Sequence, residues 1–143
     1  MSSEHRAQIL DQFTLPDARI AVAFAGVLPY FANRDMIDLL GKNDKKVAHE
    51  TVRVAPDTAG YLDFRPGHMK WDYAYAIGQQ QPDVVSQLWS NTAQGESVSL
   101  LTVPADAEAY LRESYVRVTV QGRAFYVRRG STNVRWQLVT VAQ

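Results

Sequence analysis

The chain contains no cysteine, which removes disulfides, thiolate catalysis and cysteine-ligated zinc together. Histidine is scarce, with three in all and no second spacing suited to metal ligation, so neither a metal nor a cofactor is expected. No charge of one sign prevails: 15 basic residues face 15 acidic ones, for a formal net charge of zero. Nucleic-acid binding needs a surplus of Lys and Arg to neutralise phosphates, so none is expected. Long apolar runs are missing too, and no stretch of about 18 residues is apolar enough to span a membrane. The start, MSSEHRAQILDQF, is charged and amphipathic and lacks the apolar centre of a signal peptide. A domain working outside the cytoplasm would take its address from a longer parent chain; a free-standing one would be cytoplasmic. Nor is there a G-x-S-x-G elbow, a G-x-x-x-x-G-K loop or a G-x-G-x-x-G turn to mark a nucleophile or a phosphate cradle.

What remains is an ordinary globular balance. The 143 residues are 46% apolar and 21% charged, enough for one domain that buries roughly two thirds of its unfolded surface. There is no internal repeat or linker. Residues 1–18 predict a helix to about Phe13 and a turn at Pro16, with Ile9, Leu10 and Phe13 on one face. Residues 19–89 form a motif-bearing core. Ile20, Val22 and Phe24 alternate with alanines, as in a strand covered on both sides. Gly26 ends it, and Leu28-Pro29-Tyr30-Phe31 follows just beyond its C-terminal end, where open α/β sheets bind ligands. Asp35 to Leu40 predicts a second, parallel strand. His68 to Gln79 predicts a helix and Val84 to Trp89 another strand. Residues 90–143 open on a polar loop, Ser90 to Gly95, with a strand near Val98 to Val103 and a helix from Pro104 to Glu113. Tyr115 to Val120 and Arg123 to Arg128 then predict a hairpin around Gln121-Gly122, and Trp136 to Val141 a last strand. The fold class is α/β: a single domain with a mixed or mostly parallel sheet flanked by helices, ending in an antiparallel β-hairpin.

Two clusters carry the chemistry. In the first, Asp38 interrupts Met36-Ile37 and Leu39-Leu40, and a carboxylate among apolar residues needs a partner or a task. Asp44 lies in a lysine-flanked turn nearby, where it serves either as a second carboxylate or as a turn residue. In the second, His68 follows Pro66-Gly67, with Lys70 two residues on and Asp72 four on. That places His68 and Asp72 on one helical side, suited to fixing an imidazole tautomer or to supporting the helix start. Arg117, Arg123, Arg128, Arg129 and Arg135 crowd the terminal hairpin and predict a solvated sheet face, with an anion site as the alternative.

In order, the segments A-G-V-L-P-Y-F, D-M-I-D-L-L-G-K-N-D, P-G-H-M-K-W-D-Y and Q-P-D-V-V resemble the soluble extracytoplasmic domain of bacterial multi-spanning membrane glycosyltransferases. These are the arabinofuranosyltransferase-like and mannosyltransferase-like enzymes that use lipid-phosphate sugar donors. The positions carrying the likeness are Gly26, Pro29, Tyr30 and Phe31; Asp38, Gly41 and Asp44; Gly67, His68 and Lys70; and Pro82 and Asp83, so it spans about Ile20 to Trp89. Lys42 departs from it, standing where an apolar residue belongs. The resemblance implies a non-catalytic accessory domain on the periplasmic face of the inner membrane, tethered through the transmembrane part of a parent chain and binding a glycan or lipid-linked sugar phosphate. Its site would comprise Tyr30, Asp38, Asp44, His68 and Lys70, with Pro29, Phe31 and Asp72 in support. His68 and Lys70 would face an anionic or hydroxyl-rich ligand, the carboxylates would accept sugar hydroxyls, and Tyr30 would stack. Alternatively, the same residues only clasp two loops together. Two other readings stand beside it: a free-standing hydrolase-like enzyme using His68 with a carboxylate, and a module that forms a homodimer through its hairpin edge.

Overall fold

The computed structural model describes residues 3–23, 26, 28–41, 45–49, 70–92, 95–98 and 103–143, with backbone alone for 90–92 and 95–98. Its centre is a six-stranded sheet in the order β2-β1-β3-β7-β6-β8. Strands β1 (Arg19–Val22), β2 (Asp35–Asp38) and β3 (Val84–Val85) are parallel, with Arg19 opposite Asp35 and Ile20 opposite Val84. Strands β6 (Tyr115–Val120), β7 (Arg123–Arg128) and β8 (Thr140–Val141) continue it antiparallel. The expected α/β fold with a mixed sheet is thus present.

Period-two alternation makes the layers. Ile20, Val22, Val84, Val118, Phe125 and Val127 point to one face, where α1 (Ser3–Phe13) lays Ala7, Ile9, Leu10 and Phe13 on them. Ala21, Val85 and Tyr115 point to the other, covered by a π-helix (Ala74–Gln79) and by a later helix, Ala105–Ser114. That later helix is α4 (Ala105–Ser114), and two short ones precede it, α2 (Leu28–Phe31) and α3 (Lys45–Ala48), the π-helix keeping its own name. Phe13 and Phe125, both fully buried, meet with ring centroids 5.1 Å apart. Burying each ring contributes roughly 2–3 kcal/mol, so α1 is held by its apolar stripe.

The C-terminal carbonyls of α1 are satisfied from a distance. Arg34 donates to Asp11 O and Thr14 O, each at 3.1 Å, and Arg135 to Gln12 O at 2.9 Å and Thr14 O at 2.7 Å. Two cations thus stand at the negative end of the helix dipole. Arg135 and Arg128 therefore have structural partners, whereas the sequence placed them on a solvated face. The hairpin turns through Gln121 (φ 50°) and Gly122 (φ 75°), a pair of positive φ angles that suits the right-handed twist of its strands.

Several expectations are corrected. The helix predicted from His68 begins, in its described part, only at Tyr73. Asp72 is the reason: its Oδ1 accepts the Tyr75 N–H at 3.0 Å and its carbonyl accepts the Ala76 N–H at 2.9 Å, as a cap does. The strand predicted over Val84 to Trp89 is two elements, because Trp89 starts a separate ribbon: β4 (Trp89–Thr92) against β5 (Gly95–Val98). That ribbon replaces the polar loop predicted from Ser90 to Gly95. Trp136–Leu138 is a 3₁₀ turn, leaving two residues for β8. The hairpin is also not an edge: β7 lies between β3 and β6, β8 covers β6 at Val118 and Thr119, and Phe125 is core. Among the described residues, β2 and β8 are the outermost strands of the six-stranded sheet.

Candidate functional site

The first cluster divides. Tyr30 and Phe31 stand on α2, in the crossover that leaves the C-terminal end of β1. Leu28 and Ala32 anchor this turn in the core, which forces its other side outward. Tyr30 is 83% exposed and Phe31 43%, and their rings meet edge to face at 5.1 Å. Pro29 between them and the anchor is half-buried. Asp38 behaves in the opposite way. It is 4% exposed at the end of β2, and its Oδ1 accepts the Leu40 N–H at 3.0 Å, an Asx turn that starts the bend toward α3. The bend closes at Gly41, whose φ of 71° sets its backbone against Val47 of α3.

The second cluster reaches the same bend. Lys70 donates its Nζ to Ala48 O at the end of α3, at 2.7 Å. Lys46 of α3 donates to Asp72 Oδ2 at 2.9 Å, and its ammonium sits 4.3 Å from the centre of the Tyr75 ring. Trp71 Nε1 donates to Asp106 Oδ2 at 2.9 Å, which ties the segment to α4. Tyr73, 2% exposed, donates its hydroxyl to Trp89 O and accepts the Trp89 N–H at 3.0 Å. Four consecutive residues, 70 to 73, thus each hold a different neighbour. Asp38, Lys70 and Asp72 belong to a frame around the β2–α3 bend, while Tyr30 and Phe31 form a solvated aromatic pair on the crossover. Asp44 and His68 lie outside the described residues. Among those described, no three His, Asp or Glu side chains converge on a metal position, and no helix is long and apolar enough to cross a membrane.

This frame makes a checkable claim. Tyr73→Phe removes both hydrogen bonds to Trp89 while keeping the ring, so it is expected to cost about 1–3 kcal/mol. Native-state hydrogen exchange checks it: protection at Trp89 should fall far more than protection at Val22 on β1.

The polar centre that sequence reasoning named only within the likeness, and not as a site residue, is Asp83. It is 3% exposed and opens β3. Its Oδ1 accepts from Ser131 Oγ at 2.6 Å and Arg128 Nη2 at 2.8 Å; its Oδ2 accepts from the Arg19 N–H at 2.9 Å and Asn133 Nδ2 at 3.2 Å. Burial alone would raise its pKa, but the Ser131, Arg19, Asn133 and Arg128 donors outweigh that and hold it below the ordinary carboxylate value. Beside it, the Tyr115 hydroxyl donates to Pro82 O at 2.7 Å, and burial pushes the phenol well above its usual value. The signal was the same one that marked Asp38, a carboxylate at the head of an apolar pair. Asp83 sits at the N-terminal end of the parallel strands, so it fastens the sheet.

A second passed-over residue is Arg6 of α1. Its Nε donates to Ser86 Oγ at 2.8 Å, and its Nη2 to Ser86 O and to Ala124 O at 3.1 Å, with the guanidinium 4.5 Å above the Phe125 ring. Burial, with Arg123 adding like charge, lowers its pKa to about 10. With neutral acceptors, this cation pins α1 across β3 and β7 by its hydrogen bonds and its seat over the Phe125 ring.

A protein-family profile described as a domain of unknown function (DUF8728) matches residues 2–139, so the chain belongs to that family. No curated protein and no solved structure matches it.

Proposed function

We propose that this member of the DUF8728 family is a non-catalytic binding domain that recognises a glycan or a lipid-linked sugar phosphate through the α2 crossover, as an extracytoplasmic accessory part of a membrane glycosyltransferase. The observation that carries this reading is the solvated pair of aromatic rings, Tyr30 at 83% and Phe31 at 43% exposure, on a turn whose other side is anchored in the core. An exposed tyrosine on a rigid mount offers a flat face for sugar C–H groups at little entropic cost. The residues Asp38, Lys70 and Asp72 are read as structural, separate from the platform, which rests on α1 through Leu28 and Ala32. Lys70 and Asp72 are spent on α3, and Asp38 on its own turn.

The hydrolase reading gains nothing from Asp72, since its two carboxylate oxygens already accept from Lys46 and the Tyr75 N–H. The experiment is a two-dimensional NMR titration of the labelled domain with manno- and arabino-oligosaccharides and with prenyl-phosphate head-group analogues. Saturable shifts at Tyr30 and Phe31 are expected. Tyr30→Ala, at an exposed position, should leave stability within about 0.5 kcal/mol of wild type and weaken binding about tenfold, the loss of one stacking contact. Absence of any saturable shift at millimolar ligand would defeat the proposal.

A further inference from the structure

We propose that the groove between α4 and the β6–β7 hairpin binds an organic phosphate, a phosphate monoester carried on an apolar or aromatic body. The groove has a volume of about 560 Å³. Its floor is the sheet face on the α4 side, where Arg117 of β6 lies directly opposite Tyr126 of β7. Arg129 enters from the end of β7, positioned by its backbone N–H to Ser114 O at 2.9 Å. The open rim is set by β8, through the Ala142 N–H to Arg117 O at 2.9 Å. Leu111 of α4 and Val103 add apolar wall.

Charge decides what fits. Three arginines line the groove, and Glu108 is the single carboxylate among its lining residues. Glu108 is taken by Arg112 one helical turn away. Arg117 and Arg129 thus stand without an acidic partner among the described residues, in a chain whose formal charge is zero. Most other arginines among the described residues are engaged: Arg6 on Ser86, Arg19 on Gln80, Arg34 and Arg135 on α1, Arg128 on Asp83. A guanidinium presents paired donors matched to phosphate oxygens, and two of them balance a dianion where a carboxylate would balance one. The Tyr126 ring and the Leu111 wall leave room for an apolar body beside the charge. None of Tyr30, Phe31, Asp38 or Lys70 lines this groove, so the assignment stands or falls apart from the glycan reading.

The test is a ¹H–¹⁵N titration of the full chain with phenyl phosphate, benzoate and phenol, on wild type, Arg117→Gln, Arg129→Gln and the double variant carrying both. Phenyl phosphate is expected to saturate shifts at Leu111, Arg117, Tyr126 and Arg129. Each variant should weaken it about tenfold, the size of one charge-assisted hydrogen bond, while the remaining cross-peaks keep their wild-type positions. Benzoate and phenol should bind more weakly in that order. Benzoate equal to phenyl phosphate, phenol equal to both, an unsaturable response, or undiminished binding by the double variant would each overturn the assignment. Sedimentation with phosphatidylcholine vesicles containing phosphatidic acid, compared between wild type and the double variant, then tells lipid-borne phosphate from soluble phosphate.

Discussion

Replacing Asp83 by alanine is expected to be the most damaging single change in the described structure, at about 3–5 kcal/mol. It leaves the Arg19 N–H, Ser131, Asn133 and Arg128 facing a cavity at the head of β3. Ser131 is buried and the other three are half-buried, and a buried donor without an acceptor costs its full desolvation. In a domain worth some 5–15 kcal/mol in all, this removes a large share. Thermal unfolding should shift down by roughly 10–20 °C. Asp83→Asn keeps one acceptor oxygen and should lose less.

The same carboxylate sets an acid limit. Its pKa is lower folded than unfolded, and the unfolded value is about 3.9. Above that value both states are ionised and the full contribution is present. As pH falls below it, the unfolded chain takes up the proton first, so stability declines until the folded value is also passed. Melting temperature measured from pH 6 downward should therefore drop below about pH 4, and Asp83→Asn should flatten that part of the curve. An unchanged slope in the variant would remove Asp83 as the cause.

Gly41→Ala is expected to cost about 2–4 kcal/mol, the sum of a left-handed backbone penalty and a steric one. Gly41 has φ 71°, and a Cβ there would lie 2.6 Å from Val47 Cβ and 2.8 Å from Ala48 N. Val47 is fully buried, so it cannot swing away. The control is Gly122→Ala, at φ 75° with nothing within 4 Å of the added carbon. It carries the backbone penalty alone, about 1 kcal/mol. Urea denaturation of both variants separates the two effects, because a pure stability change moves the midpoint and leaves the slope alone. Equal losses would mean that α3 does not close on this glycine. A larger loss at Gly41 ties α3 to the bend that holds Asp38, Lys70 and Asp72 in one frame.

The parts of this fold that were legible in the sequence are those fixed by neighbours along the chain. Ile20 and Val22 alternating with Ala21 specify a strand covered on both sides, since each residue's face follows from its parity. Ile9, Leu10 and Phe13 specify one helical face, and Gln121-Gly122 specifies its turn because few residue pairs accept two positive φ angles. The lack of cysteine excluded disulfides and thiolate chemistry in the same local way.

Tertiary structure alone decided the rest, wherever a residue's partner lies far along the chain. Asp38 and Asp83 look alike in sequence, each a carboxylate beside apolar residues. One makes a turn with Leu40, and the other gathers donors from Arg19, Arg128, Ser131 and Asn133 across as many as 64 positions. Arg135 and Arg117 both belong to the basic C-terminal stretch. One caps a helix more than a hundred residues away, and the other faces an open groove. The physical reason is that a side chain's hydrogen bonds and exposure are properties of the space it enters, and only packing creates that space.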